Sequence, residues 1–474
     1  MRTRRWILAA AAMTLVVGAC SSSSSKATST TQRSSSASTH ATTTTAATTT
    51  TAAVTGAQWP TYYGTSARPG VAADGPSSAS AAKKQWESPA LDGELYAQPV
   101  LVGERVIMAT ENDTVYSLNA ADGAIVWQTH LGSPVAGKSL PCGNIDPVGI
   151  TSTPVVDVAA GRVYAAGMIQ PTQNVLFDLD LATGKLIGST VVDVQGSDPA
   201  TQSQRSALTL SAGKVYVPFG GRFGDCGTYH GRVVSVPVTA AGLGTPAPYT
   251  LPTQNQGGFW SPSGASTAAD GSLFLTSGNS SSSGAFDYGD SVVRLTADLK
   301  LTDSFTPANW KALNQGDLDL GTTSPVLLPD NRVFQVGKEG IGYLLDAQHL
   351  GGIGGALQAA NVCGTSSAFG AVAHDGDTMF VPCLNALVQV KVSGDSFTTG
   401  WRMTLNTPGP PIVAGGAVWT VTTGSGDLVA IDAAAGTSSA VLHIGDVPSR
   451  FTSLAAGGGH VVVGANRKVL AFGG

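Results

Sequence analysis

Five cysteines carry the chemistry that the sequence states most directly. Cys20 follows Val17-Gly18-Ala19, behind an Arg-rich start (Arg2, Arg4, Arg5) and an apolar run from Ile7 to Val17. A thiol there suits thioether attachment of diacylglycerol, which holds a chain on a bilayer with roughly 0.8 kcal/mol per buried CH₂. The motif resembles a bacterial lipobox with Val where Leu is usual. An ordinary secretory signal cut near Ala19, or an uncleaved anchor, is the alternative. Cys142, Cys226, Cys363 and Cys383 are an even number in an exported chain, which predicts two disulfides. Of the three pairings, Cys142–Cys226 and Cys363–Cys383 join consecutive units of a repeat and are the ones expected; free or metal-bound thiols are the alternative. No Cys-x-x-Cys spacing supports zinc, and the seven His form no ligand cluster. Gly-x-Ser-x-Gly, phosphate-loop and His-Glu-x-x-His motifs are also missing.

The elements that would position any site recur along the chain. Val-Tyr-Ser-Leu-Asn-Ala-Ala-Asp-Gly-Ala-Ile-Val-Trp at 115–127 is echoed from Phe177 to Gly184 and from Val429 to Gly436. Alternating apolar residues put one face of a strand in a core, and the closing Gly supplies a tight turn. Eight such units follow one another: Tyr96 to Leu131, Ile150 to Val191, Leu208 to Val238, Phe259 to Leu295, then from Ser324, Met379, Pro411 and Phe451. The last lacks a final strand, which Lys84 to Glu87 around Trp86 can supply to close a ring and remove exposed edges. Units of roughly 35–55 residues predict an all-β, eight-bladed propeller of four-stranded antiparallel blades. A large β-sandwich is the alternative.

Composition and the N-terminus together predict a protein that works outside the cytoplasm. Only 12% of residues are charged, against about 25% in ordinary soluble domains, and 59 are Gly. Residues 1–19 read as a lipoprotein signal peptide, and 20–55 as the lipidated Cys and a Ser/Thr/Ala stalk that cannot bury enough apolar surface to fold. Such a stalk spans about 30–35 Å on average for roughly 35 residues. Removing 1–19 takes away three Arg and no acid, so the net charge goes from −5 to −8. With no basic stripe, nucleic acid is not an expected partner. Residues 56–474 are left for the propeller.

The phrase at 115–127 resembles the repeat of the pyrroloquinoline quinone (PQQ) dehydrogenases, and is similar to repeats of the envelope lipoprotein that assists outer-membrane protein assembly. The resemblance runs from Trp59 to Gly474 and takes in Trp59-Pro60-Thr61-Tyr62-Tyr63-Gly64 and Ala67-Arg68-Pro69-Gly70. It implies an eight-bladed propeller in which a Trp ending one blade docks on the next, a role that Trp127 fits and Lys185-Leu186-Ile187-Gly188 does not.

The same resemblance implies a site. Gly257-Gly258-Phe259-Trp260 resembles the segment whose indole stacks on the quinone, and Gly278-Asn279 the motif whose amide oxygen binds calcium. Asp317-Leu318-Asp319-Leu320-Gly321 resembles the segment of the catalytic base, with Asp319 the better match and a second calcium ligand. Gly337-Lys338 resembles the segment whose cation pairs with the quinone oxygens. The family's calcium-binding Glu is missing near Gly224-Asp225-Cys226-Gly227, and no two cysteines are adjacent. The structural alternative is a blade-core Trp260, an Asn279 and two aspartates serving turns, and a solvated Lys338. Ser280-Ser281-Ser282-Ser283-Gly284 reads as a flexible connection. The sequence thus predicts a monomeric, lipid-anchored binding or scaffolding propeller at the bacterial envelope, with an envelope protein or a small molecule as partner. The alternative is a PQQ- and calcium-dependent alcohol or sugar dehydrogenase.

Overall fold

The strand-turn phrase has the same local geometry at each appearance. The amide of Gly123 donates to the Asn119 carbonyl at 2.8 Å, that of Gly184 to Asp180 at 2.8 Å, and that of Gly436 to Asp432 at 2.9 Å. Each glycine has positive φ (74°, 72° and 69°), where a side chain is strained. In the computed structural model, which describes residues 56–474, these turns join the third and outer strands of antiparallel blades. The signal peptide, Cys20 and the stalk lie outside the described residues.

Eight sheets form an eight-bladed β-propeller. Blade 1 consists of Val100–Gly103, Arg105–Ala109, Thr114–Asn119 and Ile125–His130, from the inside outwards. The inner strands of blades 2 to 8 are Val155–Asp157, Thr209–Ser211, Ser266–Thr267, Val326–Leu328, Ala373–Asp375, Ile412–Ala414 and Ala455–Gly457. Blade 8 is completed from the N-terminal side. Lys83–Glu87 pairs with Lys468–Gly473, with Trp86 opposite Ala471. Third strands differ from the sequence expectation of one buried face. Val115, Tyr116, Ser117 and Leu118 are all buried, because neighbouring blades cover both faces of each sheet. Only the outer strands keep an exposed face.

Trp127 fills the role expected of it. Its indole N–H donates to the Leu181 carbonyl of blade 2 at 3.0 Å, and its ring lies against Gly184. Trp401 does the same from blade 6, donating to Ala433 at 3.1 Å and packing on Gly436. Trp86 repeats it across the closing seam, donating to Ala120 at 2.9 Å and packing on Gly123.

The axis is filled by the segment before the first blade. Ala57–Trp59 pairs with the inner strand of blade 1, and Val71–Ala72 runs parallel to that of blade 7. Amides of Val156, Thr267, His374, Val413 and Gly459 donate to the carbonyls of Pro60, Ser66, Pro69, Gly70 and Asp74 at 2.7–2.9 Å. Trp59, Tyr62 and Tyr63 are among the largest fully buried side chains.

Strand direction fixes which loops share a face. In a four-stranded meander, the loop into the inner strand and the loop joining second and third strands lie at one end. We call it the site face. The Gly turns lie at the other. The plug segment enters beside Gly103 and leaves beside Gly458 and Gly459, both at the turn face. It therefore closes the axis from that side.

Candidate functional site

Asp319 sits in the loop leading into blade 5, shortly after the one α-helix of the described residues, Trp310–Gly316. That helix ends at Asp317, in left-handed conformation (φ 51°), whose amide donates to Leu313. The Asp319 carbonyl accepts the Lys338 amide at 2.9 Å, which clips the two loops of the blade together. Lys338 then reaches both carboxylates: Asp319 Oδ2 at 2.5 Å and Asp317 Oδ1 at 2.7 Å. Asp319 Oδ1 accepts the backbone amide of Asn279 at 2.8 Å. Gly278 lets blades 4 and 5 meet here, since a Cβ would stand 2.3 Å from Asp319 Oδ1 and 2.8 Å from Trp260 Nε1. The four site residues expected from the sequence therefore converge. Lys338 is ion-paired rather than solvated, and Trp260 lies at the axis rather than inside a blade.

Burial dominates the electrostatics. It pushes the Asp319 carboxyl up, against the pull of the Lys338 ammonium. Burial would lower Lys338, but Asp319 and Asp317 outweigh it and hold the ammonium charged. Asp290, fully buried, is pushed well up by burial and by Asp319; its Oδ1 accepts the Leu320 amide at 2.8 Å and its Oδ2 has no partner. Asp225 stands where the resemblance calls for Glu. Its Oδ1 accepts the Tyr229 phenol at 2.5 Å. The serine tract is fixed rather than loose. Ser280 and Ser282 are buried, Ser280 Oγ donates to Asp287 at 2.8 Å, and the Asn314 amide donates to the Ser282 carbonyl at 2.9 Å.

Sequence reasoning missed a second group on the same axis. Trp260 meets Phe451 edge-on at 6.2 Å, and Phe451 meets Phe369 at 6.2 Å. These rings come from loops leading into blades 4, 8 and 6. Blades 4 and 8 are opposite in an eight-bladed ring, so the contact crosses the axis. Arg205, leading into blade 3, lies 4.3 Å from the Phe451 centroid and 6.0 Å from that of Trp260. Arg450 lies 4.9 Å over Phe369. Their shared signal in sequence is a place just before an inner strand, but no local motif marks it. Glu111 and Asp113, in the blade 1 loop of this face, are both buried. Burial pushes Glu111 up to about 7 and Asp113 up to about 9.

These donors do not make up a calcium shell. Calcium takes about 6–8 oxygens. Both Asp319 oxygens are engaged, one of them by a cation, and Asp225 serves Tyr229. Among the described residues no group of three or more His, Cys, Asp or Glu could hold a metal. A planar quinone stacking on the indole face that Arg205 covers would have to displace that guanidinium.

Residues 74–296 match the family model described as outer membrane protein assembly factor BamB. That match takes in just under half of the chain, whose eight sheets form an eight-bladed propeller. Among solved structures, the quinohemoprotein alcohol dehydrogenase of Pseudomonas putida HK5 aligns with a TM-score of 0.67 at 14% identity, over 88% of this chain and 80% of that one. The corresponding enzyme of Comamonas testosteroni gives 0.64 at 15%, over 87% and 80%. BamB of Moraxella catarrhalis gives 0.55 at 13%, over 83% and 98%. No curated protein matches the sequence. At these identities the structural likeness speaks for the fold, which hosts both kinds of protein.

Proposed function

We propose that this PQQ-repeat propeller is lipid-anchored outside the cytoplasm and acts in binding or scaffolding at the bacterial cell envelope, with the site face as its recognition surface. The observation that carries the reading is the state of Asp319. A carboxylate paired with a cation is a weaker base, since the nearby ammonium favours its ionised form. Here one oxygen holds the Asn279 amide and the other the Lys338 ammonium. The anchor follows from Cys20, and the partner is an envelope protein or a small molecule. The protein works as a monomer without nucleic acid.

Convergence of Trp260, Asn279, Asp319 and Lys338 favours a second reading, a PQQ- and calcium-dependent alcohol or sugar dehydrogenase. A dye-linked alcohol assay on the purified protein supplied with PQQ and Ca²⁺ separates the two. We expect turnover no higher than background. Turnover that needs both additions and disappears in Asp319→Asn would establish the second reading and defeat the first. Mass spectrometry should find diacylglycerol on Cys20, and Cys20→Ala should release the protein from membranes. An unmodified, soluble wild-type product would remove the anchor.

A further inference from the structure

We propose that Arg205 and Arg450, on the aromatic group at the axis, form a binding site for a ligand oxyanion, a carboxylate or a phosphate. This deepens the binding reading above and rests on it. The observation that carries it is what Arg205 lacks. Its guanidinium makes no hydrogen bond and no ion pair among the described residues, and its Nε is buried without a partner. Buried polar groups of native proteins are almost always satisfied, so such a donor calls for an explanation.

Arg68 provides the comparison within the same molecule. It is buried near the axis where Arg205 is half-buried, and its guanidinium donates to Thr61 Oγ1, the Tyr62 carbonyl, the Leu208 carbonyl, Thr209 Oγ1 and the Ala265 carbonyl. Arg232 and Arg294 each leave one nitrogen unpaired, but each has others bonded. Arg205 is held by ring faces alone. Phe451 stands 4.3 Å from the guanidinium carbon, and no protein acceptor among the described residues takes up its N–H groups. A guanidinium with free N–H groups is a fork that matches a planar carboxylate or two phosphate oxygens.

The surrounding charges agree. Arg450 is exposed, its side chain has no hydrogen bond or ion pair among the described residues, and it is close enough to repel Arg205. Two cations kept together without an anion between them are stabilised by one that binds. The acid that faces Arg205 is Glu111. Its Oε2 already accepts the Gly149 amide at 2.8 Å, and burial pushes it up to about 7, so it neutralises Arg205 only in part. Tyr96 and Tyr62 also face the guanidinium, and both are neutral phenols at physiological pH. The plug closes the axis behind Tyr62, so a ligand reaches Arg205 from the site face.

Titration calorimetry of the purified full chain with sodium acetate and with inorganic phosphate, at constant ionic strength, tests the proposal. Saturable binding of at least one probe is expected, and the probe that saturates distinguishes carboxylate from phosphate. Arg205→Gln should weaken it at least tenfold and Arg450→Gln at least threefold, with melting temperatures checked in parallel. If Arg205→Gln does not fold, the exposed Arg450 decides. Absence of saturable binding to the wild type, or undiminished binding in both variants, overturns the proposal. The dye-linked assay keeps the two failures apart. No oxyanion binding and no turnover leaves the binding reading with a different ligand, whereas quinone turnover removes the reading itself.

Discussion

Asp113 is the carboxyl with the least support in the axial group: it is fully buried and neither oxygen has a hydrogen bond. Burial pushes it up to about 9, and the charges of Glu111 and Asp92 add to the shift. The native state therefore keeps a proton that the unfolded chain loses near pH 4. With a raised native value, the contribution to stability is fully present below about pH 4 and is lost as pH rises towards 9. Asp113→Asn should be more stable than wild type at pH 8 by about 1 kcal/mol or more, with the difference shrinking at pH 5. Urea unfolding at the two pH values reads this, and an unchanged difference would mean that Asp113 is not protonated by burial. Lys338→Gln should act in the opposite sense. It strands Asp319 without its counter-charge and should cost about 3–5 kcal/mol at pH 7. The loss should be smaller at pH 5, where Asp319 can take a proton. An equal loss at both pH values would indicate that packing, not charge, is what Lys338 supplies. Trp260, Asn279, Asp319 and Lys338 were singled out because their short segments resemble those of the quinone-binding propellers, and the structure brings these segments together. Arg205, Phe369 and Phe451 were not. They belong to blades 3, 6 and 8, and only closure of the ring brings them within reach of Trp260.

At the scale of elements, the repeat was readable because one hairpin carries its own turn chemistry, and the Trp docking into the next blade is part of the same phrase. The seven-residue helix before Asp317 was not, being too short for a periodic signal. Gly184 tests the seam. It has φ +72°, and a Cβ would stand 2.5 Å from Trp127. Gly161 has a similar φ of +65° but nothing within 4 Å. Both Ala variants pay the backbone strain of about 1 kcal/mol. Gly184→Ala should cost about 1–3 kcal/mol more, because the indole must leave its place. Equal melting temperatures for the two variants would reject Trp127 as a structural rivet between blades 1 and 2. Both disulfides, Cys142–Cys226 and Cys363–Cys383, fasten loops of the site face, as expected from consecutive units. Non-reducing peptide mapping should recover these two bridges, and free thiols at all four positions would reject them.

For the whole molecule, an eight-bladed ring leaves an axis too wide for its own inner-strand side chains to fill, and the chain solves this with the segment before its first blade. The sequence singled out that segment by resemblance to the opening of related propellers, but nothing local in it says that it folds back into the axis. Arg68 ties it in place. Its donors reach Thr61 and Tyr62 within the segment at 2.7 Å, Leu208 and Thr209 of blade 3 at 2.8–2.9 Å, and Ala265 before blade 4 at 3.3 Å. Arg68→Met keeps an apolar stem but leaves those buried acceptors unpaired, and a buried polar group left unsatisfied costs about 1–3 kcal/mol. Each blade holds its own ladder and only the plug depends on Arg68, so the loss should be local before it is global. Hydrogen exchange reads the difference. In the variant, the amides of Tyr63 and Gly70, bonded to Gln98 and to Tyr63, should exchange much faster, while Val418 in the middle of blade 7 should change little. If all three amides accelerate together, the plug is part of the ring's cooperative unit and not a separable closure. If none does, Arg68 is dispensable, and the aromatic packing of Trp59, Tyr62 and Tyr63 is sufficient to hold the axis shut.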